Sequence, residues 1–153
     1  MKNQFYLLLL AITLVACSPT PEATNSKTAL PLMGTWKLIS GTTIRGSDTT
    51  VVDYTQGQSF IKIINESHFS FFRHDLNKGQ DSSAVFSAGA GSYTLDGNTY
   101  REHLEYFSLR EWEGHEFEFE VTIKQDTLIQ TGVEKIVELG VDQIITEKYI
   151  RLK

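Results

Sequence analysis

Glu102, His103 and Glu105 fall within G-S-Y-T-L-D-G-N-T-Y-R-E-H-L-E-Y-F, the stretch from Gly91 to Phe107. Two carboxylates and an imidazole this close could shuttle protons or hold a metal ion. Whether they can act together depends on the backbone beneath them. Asp96-Gly97-Asn98 is a hairpin turn signal, and Thr99 to Ser108 reads as a strand. Neighbouring strand residues point to opposite faces, so Glu102 and His103 cannot grip one metal or one proton without a bulge. His103 and Glu105 share a face, but that pair alone is an incomplete ligand set. No metal site is expected, and both are assigned to the solvated face.

The more apolar parity of this strand is Tyr100, Glu102, Leu104 and Tyr106. An inward Glu102 is a buried carboxylate, which needs a partner or a raised pKa. Near the end of the chain Lys148 is expected to face water, which turns Glu147, Tyr149 and Arg151 inward. The expectation is an interior cluster of Glu102, Glu147 and Arg151 with the hydroxyls of Tyr93, Tyr100, Tyr106 and Tyr149. Such a cluster either recognises the polar head of an otherwise apolar ligand or closes the fold as a structural network. Phe69, Phe71, Phe72, Phe86, Phe117 and Phe119 either line an apolar pocket or fill plain core. His68, His74 and His115 fall at strand ends or turns and are read as surface residues.

From Met33 onward the hydrophobic period is two. In E-F-E-F-E-V-T-I-K, Glu116 to Lys124, Phe117, Phe119, Val121 and Ile123 share one face, and glutamates, Thr122 and Lys124 the other. Further strands are expected at Gly34–Ser40, Thr50–Tyr54, Ser59–Asn65, His68–His74, Val85–Leu95, Thr99–Ser108, Thr127–Val133 and Asp142–Leu152. Short turns separate them, and Val133–Leu139 reads equally as strand end or helical turn, stopped by Gly140. The fold class is all-β: a single up-and-down antiparallel barrel of roughly eight to ten strands, closed because closure removes exposed edges.

The ends of the chain bear on its compartment. Lys2 followed by the apolar run Phe5 to Val15 reads as a secretory signal, too short to span a bilayer that needs roughly twenty residues. Leu14-Val15-Ala16-Cys17 resembles the bacterial lipoprotein processing box, which implies cleavage before Cys17 and lipid on it. Cys17 is the only cysteine, so no internal disulfide can form. Residues 1–16 are thus expected to be a lipoprotein signal peptide, 17–31 a flexible lipid-anchored tether and 32–153 the barrel domain. The net charge of −5 and the lack of a basic patch argue against nucleic acid as a partner. The protein is expected in the cell envelope as a monomer. It would be attached to the membrane through lipid on Cys17, and the lack of a dense acidic run after Ser18 favours facing the periplasm.

Leu32-Met33-Gly34-Thr35-Trp36-Lys37-Leu38 carries a Gly-x-Trp that resembles the opening signature of the lipocalin and fatty-acid-binding-protein (calycin) barrels. With I-K-I-I-N-E-S-H-F-S-F-F, the Gly89–Ser108 hairpin and the ending E-K-Y-I-R-L-K, the chain resembles bacterial lipocalin-like domain lipoproteins over Met33 to Lys153. Alternation sends Trp36, Leu38 and Ser40 inward. The resemblance implies that an arginine late in the last strand, here Arg151, packs across Trp36 and closes one end of the barrel. The second and third lipocalin signature regions are not evident, so retinoid or haem ligands do not carry over.

Three readings follow. The first is a lipid-anchored barrel that binds a small, mainly hydrophobic molecule, with Trp36, Tyr93, Tyr100, Glu102, Tyr106, Phe117, Phe119, Glu147, Tyr149 and Arg151 as binding or barrel-closing residues. The second is a filled barrel with a structural or interaction role, presenting loops near Thr42–Thr50 and Asp75–Ser83. The third is an isomerase or cyclase using Glu102 with a tyrosine. No Gly-x-Ser-x-Gly, His-Glu-x-x-His or phosphate loop is present, and no cofactor or catalytic residue is assigned. An interior cavity below about 300 Å³ would favour the second reading over the first.

Overall fold

The structure is a computed structural model that describes residues 31–153. The expected signal peptide, Cys17 and nearly all of the tether lie outside the described residues. Nine strands follow one another: β1 Gly34–Arg45, β2 Asp48–Asp53, β3 Gln58–Ile64, β4 His68–Asp75, β5 Phe86–Asp96, β6 Thr99–Phe107, β7 Glu116–Lys124, β8 Thr127–Ile136 and β9 Val141–Arg151. From β3 to β9 each pairs antiparallel with the next, and β1 pairs with both β3 and β9. The result is the expected all-β, closed antiparallel barrel, built from eight strands. The ninth, β2, pairs only with the second half of β1. Thr42–Thr50, expected as a loop, is therefore a hairpin that extends the barrel wall. The ambiguous Val133–Leu139 divides: β8 runs to Ile136, a 3-10 turn follows at Val137–Leu139, and Gly140 ends it at φ 64°.

Two bulges decide which side chains enter the barrel. In β1 the pairing with β9 slips between Leu38 and Ser40, so Ser40 pairs with Lys148 and Gly41 with Glu147. Ser40 consequently faces out, correcting the uninterrupted alternation. In the β5–β6 hairpin, Gly91 pairs with Leu104 but Ala90 with Tyr106, which leaves Glu105 as the extra residue. A bulge of this kind flips every side chain beyond it. Tyr106 turns out to solvent with 67% of its surface exposed, and Phe107 turns in.

The turns β3–β4, β5–β6 and β7–β8 gather at the end where β1 begins and β9 stops. Trp36, Leu38, Ile64, Phe69, Tyr100, Val121 and Leu128 fill that end, and all are buried. Arg151 lies 4.0 Å from the centre of the Trp36 ring and donates to the Met33 carbonyl at 2.7 Å, while the indole N–H donates to Leu32 at 2.8 Å. Gly34 sits at φ 142°, and a Cβ there would stand 2.5 Å from an Arg151 nitrogen. The glycine of Gly-x-Trp is thus the residue that lets the guanidinium lie across the indole. At the opposite end are the β1–β2 hairpin, the 76–85 loop, the β6–β7 connection with its 3-10 turn Arg110–Trp112, and the β8–β9 turn.

Candidate functional site

Midway along the barrel the hydrophobic filling gives way to a polar layer. Lys62, on β3, points inward between Phe60 and Ile64, because all three pair with interior residues of β4. It is 3% exposed and donates to the Glu102 carboxylate from β6 and, at 2.9 Å, to the Gln130 side-chain oxygen from β8. Its ammonium also stands 5.2 Å from the ring centres of Phe69 and Tyr100 and 6.0 Å from that of Tyr149. From β9, Glu147 accepts from the Tyr149 hydroxyl at 2.6 Å. One level nearer the loops, Arg45 donates to Gln143 at 2.6 Å, and the Gln143 amide donates in turn to Glu134.

Above this layer is a cavity of about 210 Å³. Its floor is Lys62, Glu102, Gln130, Glu147 and Tyr149; its walls include Phe60, Phe71, Phe107 and Phe119, with Arg73 and Glu134 toward the loops. Phe60 stacks on Phe71 with centroids 5.7 Å apart, and Phe107 meets Phe71 edge-on at 5.5 Å. Burial is the main force on the acids here. It pushes Glu134 up to about 7 against the Gln143 hydrogen bond, with Glu147 and Glu102 adding repulsion. Burial raises Glu147 too, against the pull of Lys62. The Tyr149 hydroxyl is driven well above its usual range by burial and by Glu147. The Tyr100 hydroxyl is raised by burial and by Glu102, beside which it lies without closing a good hydrogen bond.

The expected interior cluster is therefore regrouped. Glu102, Tyr100, Glu147 and Tyr149 share one layer, and their cation is Lys62. Arg151 does not join them, because it is at the closed end on Trp36. Tyr93 does not join either: its hydroxyl donates to the Asn65 carbonyl at 2.7 Å, although its ring packs 5.1 Å from Tyr100. Tyr106 is outside, and so are Phe72 and Phe86, which are 40% and 72% exposed. Phe119 lines the cavity, while Phe117 is buried beneath Trp112, 5.9 Å away.

His103 and Glu105 are on the outer side, where His103 lines a surface groove of about 350 Å³ with Ser92, Arg101, Glu102 and Glu116. Arg101 there pairs with Glu118 at 2.7 Å. Glu105 accepts the Ser92 backbone N–H at 3.0 Å, next to the hairpin bulge. Among the described residues, no group of three or more His, Cys, Asp or Glu is placed to hold a metal ion.

Lys62, Arg73, Gln130, Glu134 and Gln143 were not singled out by sequence reasoning. The available signal was parity: Arg73 follows Phe69 and Phe71 on one face, and Gln130 alternates with Leu128.

No protein-family model matches the chain, and no curated protein is significantly similar to it in sequence. Among solved structures, it is similar to an uncharacterized protein from Bacteroides eggerthii. That likeness has 12% identity and a TM-score of 0.46 and covers 78% of this chain and 98% of the other.

Proposed function

We propose that the barrel binds a small amphipathic molecule, and that lipid on Cys17 holds it in the bacterial cell envelope. The observation that carries this is the cavity: charged and polar at its floor, aromatic along its walls and about 210 Å³ in volume. A buried ion pair is seldom more stabilising than apolar side chains of equal volume. An all-hydrophobic filling would therefore serve a purely structural barrel at least as well. An apolar cavity of about 150 Å³ suffices for benzene, so this one suits a single ring with a short polar substituent. The expected ligand is thus smaller and more polar at one end than a mainly hydrophobic barrel guest.

The envelope assignment is supported by the sequence of residues 1–17 alone. Mapping chemical-shift changes during titration with ring-sized amphipathic fragments tests the binding reading. Shifts at Lys62, Glu102, Gln130 and Tyr149 and at the wall residues Phe60, Phe71 and Phe107 are expected; shifts on the outer face alone would contradict it.

The volume taken alone favours a second reading, because it lies below the 300–1,000 Å³ usual for ligand pockets. On that reading the barrel is a filled scaffold whose loops, or the exposed aromatics Phe72, Phe86 and Tyr106, meet another protein.

A further inference from the structure

We infer that the cavity takes an organic cation, a protonated amine carried on a ring-sized apolar group. This rests on reading the cavity as a ligand site and adds the ligand's charge. The ground is how the charges around the cavity are paired. Three carboxylates line it, Glu102, Glu134 and Glu147, with two cations, Lys62 and Arg73. Lys62 is taken up by Glu102 and Gln130. Arg73 donates to Gln58 at 2.8 Å and lies 5.4 Å from the Tyr54 ring centre. Arg45 spends its Nε–H on Gln143, so only an amide reaches Glu134. Glu147 has the Tyr149 hydroxyl. Glu134 and Glu147 therefore face the cavity with hydrogen-bond donors but no ion-pair partner among the described residues.

A second observation points the same way. The Tyr100 hydroxyl, on a residue that is 0% exposed, stands beside Glu102 in this layer without a hydrogen bond of good geometry. An ammonium offers three donors and no acceptor, which suits a floor of carboxylate acceptors. Phe60, Phe71 and Phe107 would hold the ring and add cation–π attraction. An anion would meet two carboxylates and gain only Arg73, and a neutral guest would leave both carboxylates uncompensated.

Binding of this kind displaces protons. The groups facing Glu134 and Glu147 are Lys62 from β3, Arg73 from β4, Tyr100 and Glu102 from β6, Tyr149 from β9, Tyr54 just after β2 and, through Gln143, Arg45 from β1. With Glu134 titrating at about 7, an ammonium must replace a proton over the neutral range.

Isothermal titration of the full-length protein with benzylammonium, benzyl alcohol and benzoate, at about pH 6 and pH 8 and in buffers of different ionisation enthalpy, tests this. Benzylammonium is expected to bind with proton release and roughly tenfold tighter at the higher pH. Benzoate is expected not to bind. Glu134→Gln should lose the proton release; Glu147→Gln, used if that variant fails to fold, should weaken benzylammonium binding; Arg101→Gln on the outer face should change neither. Equal or tighter binding of benzyl alcohol or benzoate would overturn the cation inference and leave the ligand site standing. Silence from all three probes overturns the inference alone if the neutral fragments shift the floor residues, and both readings if they do not.

Discussion

Lys62 and Glu102 meet inside the barrel from β3 and β6, strands separated by two others, and their side chains are only 3% and 9% exposed. Removing one member of such a pair strands a buried charge. Lys62→Met is expected to cost about 3–5 kcal/mol in urea unfolding. Lys62→Met combined with Glu102→Leu should regain most of that loss. If the double variant were as unstable as the single, the pair would not be the source of the penalty.

Glu134 gives the stability a pH dependence of known sign. Its folded pKa of about 7 lies above its ordinary value of 4.5. Between those values the folded chain holds a proton that the unfolded chain has released, so stability falls as pH rises through the window. Glu134→Gln removes this effect. It should raise stability by about 3 kcal/mol at pH 8 and change it little at pH 4. Thermal melts of both proteins at the two pH values check this; an equal effect at both would contradict it.

Closure of the turn-rich end depends on Arg151 lying on Trp36. Arg151→Met is expected to destabilise the fold by about 1–2 kcal/mol and to shift the indole fluorescence. Gly34→Ala should do the same by a different route, costing more than about 1 kcal/mol because its φ of 142° is poor for any side chain and its Cβ would displace the guanidinium. An Arg151→Met protein with unchanged melting and emission would remove this closure from the account.

The bulge at Glu105 should be intolerant of a side chain at Gly91. A Cβ there would lie 1.8 Å from the His103 carbonyl oxygen, and this obstacle is backbone. Gly91→Ala is expected to force the hairpin out of register and to lower the melting temperature more than Glu105→Gln. A Gly91→Ala barrel with native hydrogen-exchange protection at Leu104 would contradict the register described.

Much of the barrel was legible because its strands contrast their two faces. Glu116–Lys124 sets glutamates against aromatics, and its inward set, Phe117 to Ile123, is the observed one. Legibility failed where that contrast vanished. Tyr106 and Phe107 are both aromatic, so nothing in their order reveals the bulge that exchanges them. Phe71 and Phe72 present the same ambiguity one strand pair away. Lys62 was hidden for the same reason: Phe60 and Ile64 make its face apolar, but Ile61 and Ile63 make the other face apolar as well. Glu102 could be placed inside by parity. Its partner could not, because the barrel brings β3 to β6 across the interior, a relation that pairing of neighbouring strands does not encode.

Native mass spectrometry of the full-length protein purified from its own host tests the central claim most directly. The expected spectrum contains a population carrying one small non-covalent adduct that disappears on denaturation and is absent from the Glu147→Gln variant. A spectrum with only the bare protein mass, or an adduct retained equally by that variant, would contradict a ligand held on the polar floor of the barrel.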